Sequence, residues 1–213
     1  MNILPLVFNP FGVNTYIVWD TESLQAAIID PGMSNSDECR KLTDVISAKG
    51  LHVVSLINTH LHVDHALGDA FIESHYGVSL SANTDDAFLG RQLESQAAMF
   101  HLPIATNPVT ITTELKQGDR ISLGSESLEV LEVPGHSPGS IALYSSTDGF
   151  VITGDALFNG SIGRTDLPGG VFATLIRSIR THLLPLPDDT IVYPGHGPTS
   201  TIGAEKKWNP FLK

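Results

Sequence analysis

Four apolar runs of strand length each end in a turn that carries histidine or aspartate, and few folds can satisfy all four together. Val53–Ile57 leads into Thr59-His60-Leu61-His62-Val63-Asp64-His65, and Leu128–Val133 into Pro134-Gly135-His136-Ser137. Phe150–Thr153 leads into Gly154-Asp155, and Ile191–Tyr193 into Pro194-Gly195-His196-Gly197. Any one of these alone reads as an ordinary surface turn. Together they hold five imidazoles and two carboxylates, which gain little as scattered decoration and much if the strand ends meet. Loops on a rigid sheet edge are where reactive groups usually sit. The adjacent glycines let the backbone turn sharply and approach closely.

Between these turns the chain alternates strands and helices. Strands are expected at Ile3–Phe8, Asn14–Trp19 and Ala26–Asp30, followed by a helix over Ser36–Lys49 with Ser36 as cap and Gly50 as stop. After the strand Val53–Ile57, a helix runs from about Ala66 to Tyr76, stopped by Gly77. A short strand Val78–Ser81 precedes a helix capped by Asn83 that extends to about Phe100. The second half repeats the order: strands Val109–Thr113, Arg120–Leu123, Leu128–Val133, Ile141–Ser145 and Phe150–Thr153, a helix over Val171–Leu183, the strand Ile191–Tyr193, and a last helix from near Ser200. Strands, then a helix, then a strand entering a histidine loop occur twice. Two face-to-face sheets with helices outside bury such a chain, giving an α/β (α+β) four-layer sandwich. No linker divides residues 1–213, so one domain is expected.

The composition removes several classes of function. Apolar residues make up 41% and charged residues 16%, the balance of a globular chain. The net charge of −11 and the lack of any basic cluster beyond Lys206-Lys207 argue against nucleic acid and acidic membranes as partners. No run approaches the about 20 apolar residues of a membrane span. The start, MNILPLVFNPFGVN, lacks the basic and small-residue features of a signal peptide. Cys39 is the single cysteine, which excludes an internal disulfide and makes the cytoplasm the expected location.

Imidazole with carboxylate suits zinc, iron or manganese, and the lack of a thiolate argues against a closed structural zinc site. In an extended segment His60 and His62 face one way and can share a metal. The turn into the next helix can redirect Asp64 and the adjacent His65 to a neighbouring ion. Seven ligands exceed one tetrahedral ion. Two ions with a bridging carboxylate and a bridging hydroxide fit the count better, as in two-metal hydrolytic sites. His52, His75, His101 and His182 lie outside the four turns and read as ordinary histidines, and Cys39 as a packed small hydrophobe. Ala87, Phe88, Leu93, Ala97, Met99 and Phe100 read as the core stripe of a helix or the wall of a pocket, and Trp208-Asn209-Pro210-Phe211 as a packed anchor.

The motifs T-H-L-H-V-D-H, P-G-H-S-P-G, T-G-D, G-R-T-D-L-P and P-G-H-G, in that order, together with I-G-A-E-K-K-W-N-P-F, resemble the metallo-β-lactamase fold superfamily and its small glyoxalase II-like hydrolases. The resemblance implies an αββα sandwich with the site along one edge. It implies one metal held by His60, His62 and His136, a second by Asp64, His65 and His196, and Asp155 as the bridge. It also implies two divalent ions, zinc first with iron or manganese as alternatives. The lactamases with a cysteine ligand are a poor match, because Cys39 lies far upstream. Full-length glyoxalase II enzymes hold glutathione with an appended helical region, and no such region is expected after Pro194-Gly195-His196-Gly197.

The expected activity is hydrolysis of a small anionic glutathione-type thioester, of the S-lactoylglutathione kind, by a metal-bridging hydroxide. Two divalent ions, two carboxylates and one hydroxide leave a local charge of +1, which favours an anionic substrate in an acidic protein. Asp64 and Asp155 carry the catalytic assignment because they fix the ions. Arg164 and Asp166 read two ways: an ion pair bracing a loop, or an arginine that orients the ligand turns or receives an anionic group, backed by Asp166. The alternative activity is that of relatives which also carry G-R-T-D and use one iron, here on His60, His136 and Asp155, to oxidise glutathione persulfide. A metal-binding module without turnover is the third reading.

Overall fold

The segment Gln25-Ala26-Ala27-Ile28-Ile29 is apolar on both faces, so each face needs a cover. In the computed structural model, which describes residues 1–102 and 106–213, both covers are present. The first half forms a six-stranded sheet in chain order: β1 (Asn2–Phe8), β2 (Val13–Trp19), β3 (Gln25–Ile29), β4 (His52–Ile57), β5 (Leu80–Ala82) and β6 (Thr113–Glu114). β1 to β3 pair antiparallel, and β3 to β6 pair parallel. The second half begins with β7 (Arg120–Leu123), β8 (Glu126–Glu132), β9 (Ile141–Ser145) and β10 (Phe150–Gly154). A small hairpin, β11 (Leu157–Phe158) and β12 (Ser161–Ile162), precedes β13 (Ile191–Pro194) and β14 (Ser200–Thr201). This second six-stranded sheet has the order β14-β13-β10-β9-β8-β7.

Three apolar layers follow. Ala27, Ile29, Ile57, Tyr16 and Val18 meet Leu128, Val130, Ile141, Leu143 and Ile152 between the sheets. Ala26, Ile28, Leu56 and Leu80 pack outward under α1 (Ser36–Lys49), α2 (Val63–Ala66), α3 (Asp69–Tyr76), α4 (Ala87–Gly90) and α5 (Leu93–Met99), through Leu42, Ile46, Ile72, Leu89 and Leu93. Val133, Ala142, Val151 and Val192 pack under α6 (Phe172–Ser178), a following π-helical turn, and α7 (Ile202–Trp208), through Leu175, Ile179, Leu183 and Ile202. Three cores between four layers make the αββα sandwich.

This topology aims four strand ends at one edge. β10 and β13 are parallel, and β8 is twice reversed through β9, so β8, β10 and β13 all run the same way. The edge is stapled across the two sheets: Asn14 N–H donates to Gly195 O at 2.7 Å, and Tyr16 Oη to Pro194 O at 2.6 Å.

Several elements differ from the sequence expectation. Asn35, not Ser36, caps α1, accepting from the amides of Asp37 and Glu38. The helix expected over Ala66–Tyr76 is two, α2 and α3, because Gly68 lies against Pro31 O and the Met33 side chain and turns there. The helix expected from Asn83 to Phe100 is a 3₁₀ turn at Thr84–Asp86 followed by α4 and α5. Asn83 does cap it, but Asp86 turns inward to bond other loops, and a Cβ at Gly90 would sit 3.0 Å from Leu61. The strand expected at Val109–Thr113 shrinks to β6, and only Phe172–Ser178 of Val171–Leu183 is α-helical. The C-terminal anchor also differs. Trp208 is 67% exposed, and the buried contacts are made by Asn209, which bonds Ser161 O and Glu205, and by Leu212.

Candidate metal centre

His60, His62, Asp64 and His65 follow β4, His136 follows β8, Asp155 follows β10 and His196 follows β13. The structure brings all seven together at the shared edge. Two glycines make this possible. Gly135 adopts φ +134°, and a Cβ there would fall 2.2 Å from Leu175 N. A Cβ on Gly195 would lie 2.2 Å from Asp155 Oδ1 and 2.8 Å from His65.

The ring nitrogens form two groups. His62 Nδ1 lies 2.8 Å from His136 Nε2, which lies 3.2 Å from His60 Nε2. The three rings stand nearly edge-to-face, at 79–85°. Zinc–nitrogen bonds of about 2.0–2.1 Å in a tetrahedron put nitrogens about 3.3 Å apart, close to these separations. In the second group His196 Nε2 is 3.1 Å from Asp64 Oδ2, and His65 Nε2 is 3.7 Å from the same oxygen. Asp155 faces both groups: Oδ2 is 3.6 Å from His136 Nε2 and 3.7 Å from His196 Nε2, and Oδ1 is 3.4 Å from His65 Nε2.

Which nitrogen each ring offers is set by its other nitrogen. His136 Nδ1–H donates to Arg164 O at 2.7 Å, and His196 Nδ1–H to Phe11 O at 3.1 Å. His65 Nδ1 faces the Asp30 carboxylate across 3.0 Å as a charge contact, without the alignment of a hydrogen bond. Thr59 Oγ1 donates to Asp30 at 2.7 Å and so presents a lone pair to His60 Nδ1 at 3.2 Å. Four imidazoles therefore turn Nε2 inward, and His62 alone turns Nδ1 inward. Fixing one nitrogen on a carbonyl or carboxylate is how proteins orient metal-binding histidines.

The charges fit a cation. Burial, together with the neighbouring histidines His65 and His136, holds His60 well below the ordinary histidine range, and burial beside His136 brings His62 down to about 3. These rings are neutral and can donate lone pairs. Burial alone would raise the Asp155 and Asp64 carboxyls, but the surrounding histidines, His65 and His196 on both and His136 on Asp155, together outweigh it and both stay ionised. Burial opposes charge on His65 too, yet Asp64, Asp155 and Asp30 raise it well above its usual value. His65 Nε2 and Asp155 Oδ1 are buried and complete no hydrogen bond among the described residues, which costs free energy unless something charged sits between them. The neutral nitrogens of His60 and His62, and the ionised oxygens of Asp64 and Asp155 that draw a proton onto His65, suit divalent metal ions, which would take that proton's place.

Sequence reasoning missed two carboxylates that hold the ligand turns. Asp30 accepts from Thr59 N and Thr59 Oγ1 while facing His65. Asp86 ties the first histidine turn to the second: its carboxylate accepts from Leu61 N–H, Ser137 Oγ and Gly139 N–H. The signal for Asp30 was an aspartate closing an apolar strand before Pro31-Gly32. Its φ of +52° lies in the left-handed region.

Arg164 and Asp166 form a bidentate pair, with Nε and Nη2 donating to Oδ1 and Oδ2 at 2.7 Å each. Both are exposed, and Arg164 acts on the centre through its backbone carbonyl on His136. The four other histidines lie away from the cluster: His52, His75 and His101 are exposed and His182 is half-buried. A cavity of about 260 Å³ opens over the ligands between Phe11, Phe100, Arg164 and Leu167. A larger concavity, about 470 Å³ beside Trp208 and Ile191, contains none of them.

The sequence model of the Metallo-beta-lactamase superfamily matches residues 8–196, and the chain belongs to this superfamily. It is 41% identical to hydroxyacylglutathione hydrolase GloC of Haemophilus influenzae over 213 residues, covering all of this chain and 98% of that protein. Among solved structures, the BLEG-1 B3 metallo-beta-lactamase superposes with a TM-score of 0.89 at 32% identity over the full length of both chains. TTHA1623 in a di-iron-bound form superposes with a TM-score of 0.87 at 35% identity, over 98% of this chain and all of that one.

Proposed function

We propose that this protein is a dinuclear metal-dependent hydrolase of small glutathione-type thioesters. The observation that carries the reading is the Asp155 carboxylate lying between two groups of candidate ligands, with His60, His62 and His136 on one side and Asp64, His65 and His196 on the other. The name of the Haemophilus relative supports the substrate class, and the di-iron relative supports a pair of ions. Zinc, iron and manganese all suit this donor set. A divalent pair held here supplies a water of lowered pKa and a Lewis acid for the acyl oxygen.

The chain's own groups do the rest. Asp30, Thr59, Arg164 O and Phe11 O keep four rings aimed inward before substrate arrives, so no reorganisation is needed at the moment of reaction. Phe11, Phe100 and Leu167 wall the cavity and limit water beside the acyl carbon. No serine or cysteine nucleophile is required, and a thiolate is a better leaving group than an amine.

The test compares S-lactoylglutathione, a β-lactam and glutathione persulfide on one metal-loaded sample, following thiol release, ring opening and oxygen uptake. Thioester cleavage that chelation abolishes and zinc, manganese or iron restores is the expected result. Oxygen uptake without thioester cleavage would favour the mononuclear-iron reading, and faster ring opening would favour a lactamase.

A further inference from the structure

Beyond His62 lies a second cleft that is bordered by none of the other six candidate ligands. It has a volume of about 60 Å³ and runs between α5 and the loop at Leu167-Pro168, with Leu89 at its base and Met99 and Phe100 along one wall. His62, Phe100 and Leu167 border both this cleft and the cavity over the metal centre, so the two adjoin. Gln96 also borders it, but its amide is spent on the backbone: Oε1 accepts from Val63 N–H at 3.0 Å and Nε2 donates to Leu89 O at 2.9 Å. What it turns to the cleft is hydrocarbon. Gln92 and Ser95 stand at the exposed rim.

We propose that this cleft is an acyl-chain subsite, so that the preferred thioesters carry a short unbranched apolar acyl group rather than a lactoyl group. The proposal rests on the thioesterase reading above. A thioester reacting at the ligand cluster has two arms, the acyl chain and the thiol. The thiol arm of a glutathione-type substrate carries amides and carboxylates. In a narrow hydrocarbon cleft these would lose water without gaining partners, a cost of several kcal/mol for charged groups. The wider cavity past Phe11 and Arg164 opens to solvent and accepts them. Arg164 is the one lysine or arginine among the described residues lining either space, and its guanidinium is held by Asp166. The cleft holds no lysine or arginine for a charged acyl chain, and its uncommitted polar side chains, Gln92 and Ser95, stand at the rim rather than along the apolar wall. Holding a water takes about 10–15 Å³ measured this way, so the space matches about four such groups, a butyryl- to hexanoyl-length chain.

Two measurements on the metal-loaded protein test this. The first is kcat/KM for glutathione thioesters from acetyl through hexanoyl, with lactoyl alongside. It should rise about fourfold per methylene up to butyryl or longer, the gain expected from burying each CH₂. The second is calorimetric binding of straight-chain carboxylates from acetate to hexanoate, which should tighten by a similar factor per carbon whether or not any thioester turns over. In Ser95→Trp, which fills the rim, the butyryl-to-acetyl ratio should fall toward one in both measurements. In Met99→Ala the optimum should move to longer chains. Rates and affinities that are flat or falling with chain length in the wild-type protein, or ratios untouched by Ser95→Trp, overturn the subsite. Chain-length-dependent carboxylate binding without cleavage of any thioester upholds the subsite and overturns the thioesterase reading instead.

Discussion

Asp155 is the residue on which the centre turns, since its Oδ2 faces both ligand groups, through His136 and His196, while its Oδ1 faces His65. Asp155→Ala should lose both ions and activity together, read by elemental analysis and turnover on one sample. Asp166→Ala breaks only an exposed ion pair with Arg164, and such pairs contribute little. Its turnover should stay within about tenfold of wild type, at or below the usual cost of losing a group that braces a metal ligand. Asp69, like Asp86, is pushed up by burial, but it lacks the hydrogen bonds that Asp86 accepts. It is fully buried on α3, neither oxygen has a partner among the described residues, and burial, with Asp30 and Glu73 nearby, pushes its carboxyl well above the usual range. Folding therefore favours its protonated form, and the unfolded chain releases that proton once the pH exceeds about 4. Wild type loses stability from this group as pH rises above that point, so Asp69→Asn should melt higher than wild type at pH 8. The gap should close toward pH 4, and a gap that instead widens on acidification would refute the assignment. All seven candidate ligands were legible in the sequence because each sits in a short glycine- or histidine-rich turn after a strand. Asp30, Asp69 and Asp86 were not, because what marks them is burial, and burial depends on neighbours far away in the chain.

Among the elements, the strands were read best and the helices on the ligand side worst. The two faces of β3 and the uninterrupted apolar residues of β10 carry a local signal that does not need tertiary context. The breaks between α2 and α3 and before α5 arise where Gly68, Asp86 and Gly90 meet Met33, Ser137 and Leu61, contacts that no periodicity contains. The segment from Thr84 to Met99 trades continuous helix for a carboxylate aimed at both histidine turns. β13 shows the same priority at its end. Gly195 passes so close to Asp155 and His65 that any side chain must displace them. Gly195→Ala should therefore weaken metal affinity about 10–100-fold, as displaced ligand support does. The sandwich itself should persist, its far-ultraviolet circular dichroism unchanged, because the apolar layers do not include this position.

For the whole molecule, the centre is shared between the two sheets: four ligands follow a strand of the first and three follow strands of the second. We expect two ions per chain after purification without chelator. Each ion at a hundredfold excess over its Kd should add about 2.7 kcal/mol, or about 5–10 °C in Tm for a chain of this size. Calorimetry before and after chelation checks this, and an unchanged Tm would count against ligands drawn from both sheets. The same sharing fixes when the site comes into being. His62 and His136 are 74 residues apart, and His196 finds its carbonyl partner on Phe11 across 185. A chain emerging from the ribosome carries the four ligands of the first turn long before the partners of any complete set exist. Contacts of such sequence separation form late and slowly. Until they do, His60, His62, Asp64 and His65 are an incomplete chelate, so during synthesis the order of translation, more than intrinsic affinity, sets the earliest moment at which metal can be held.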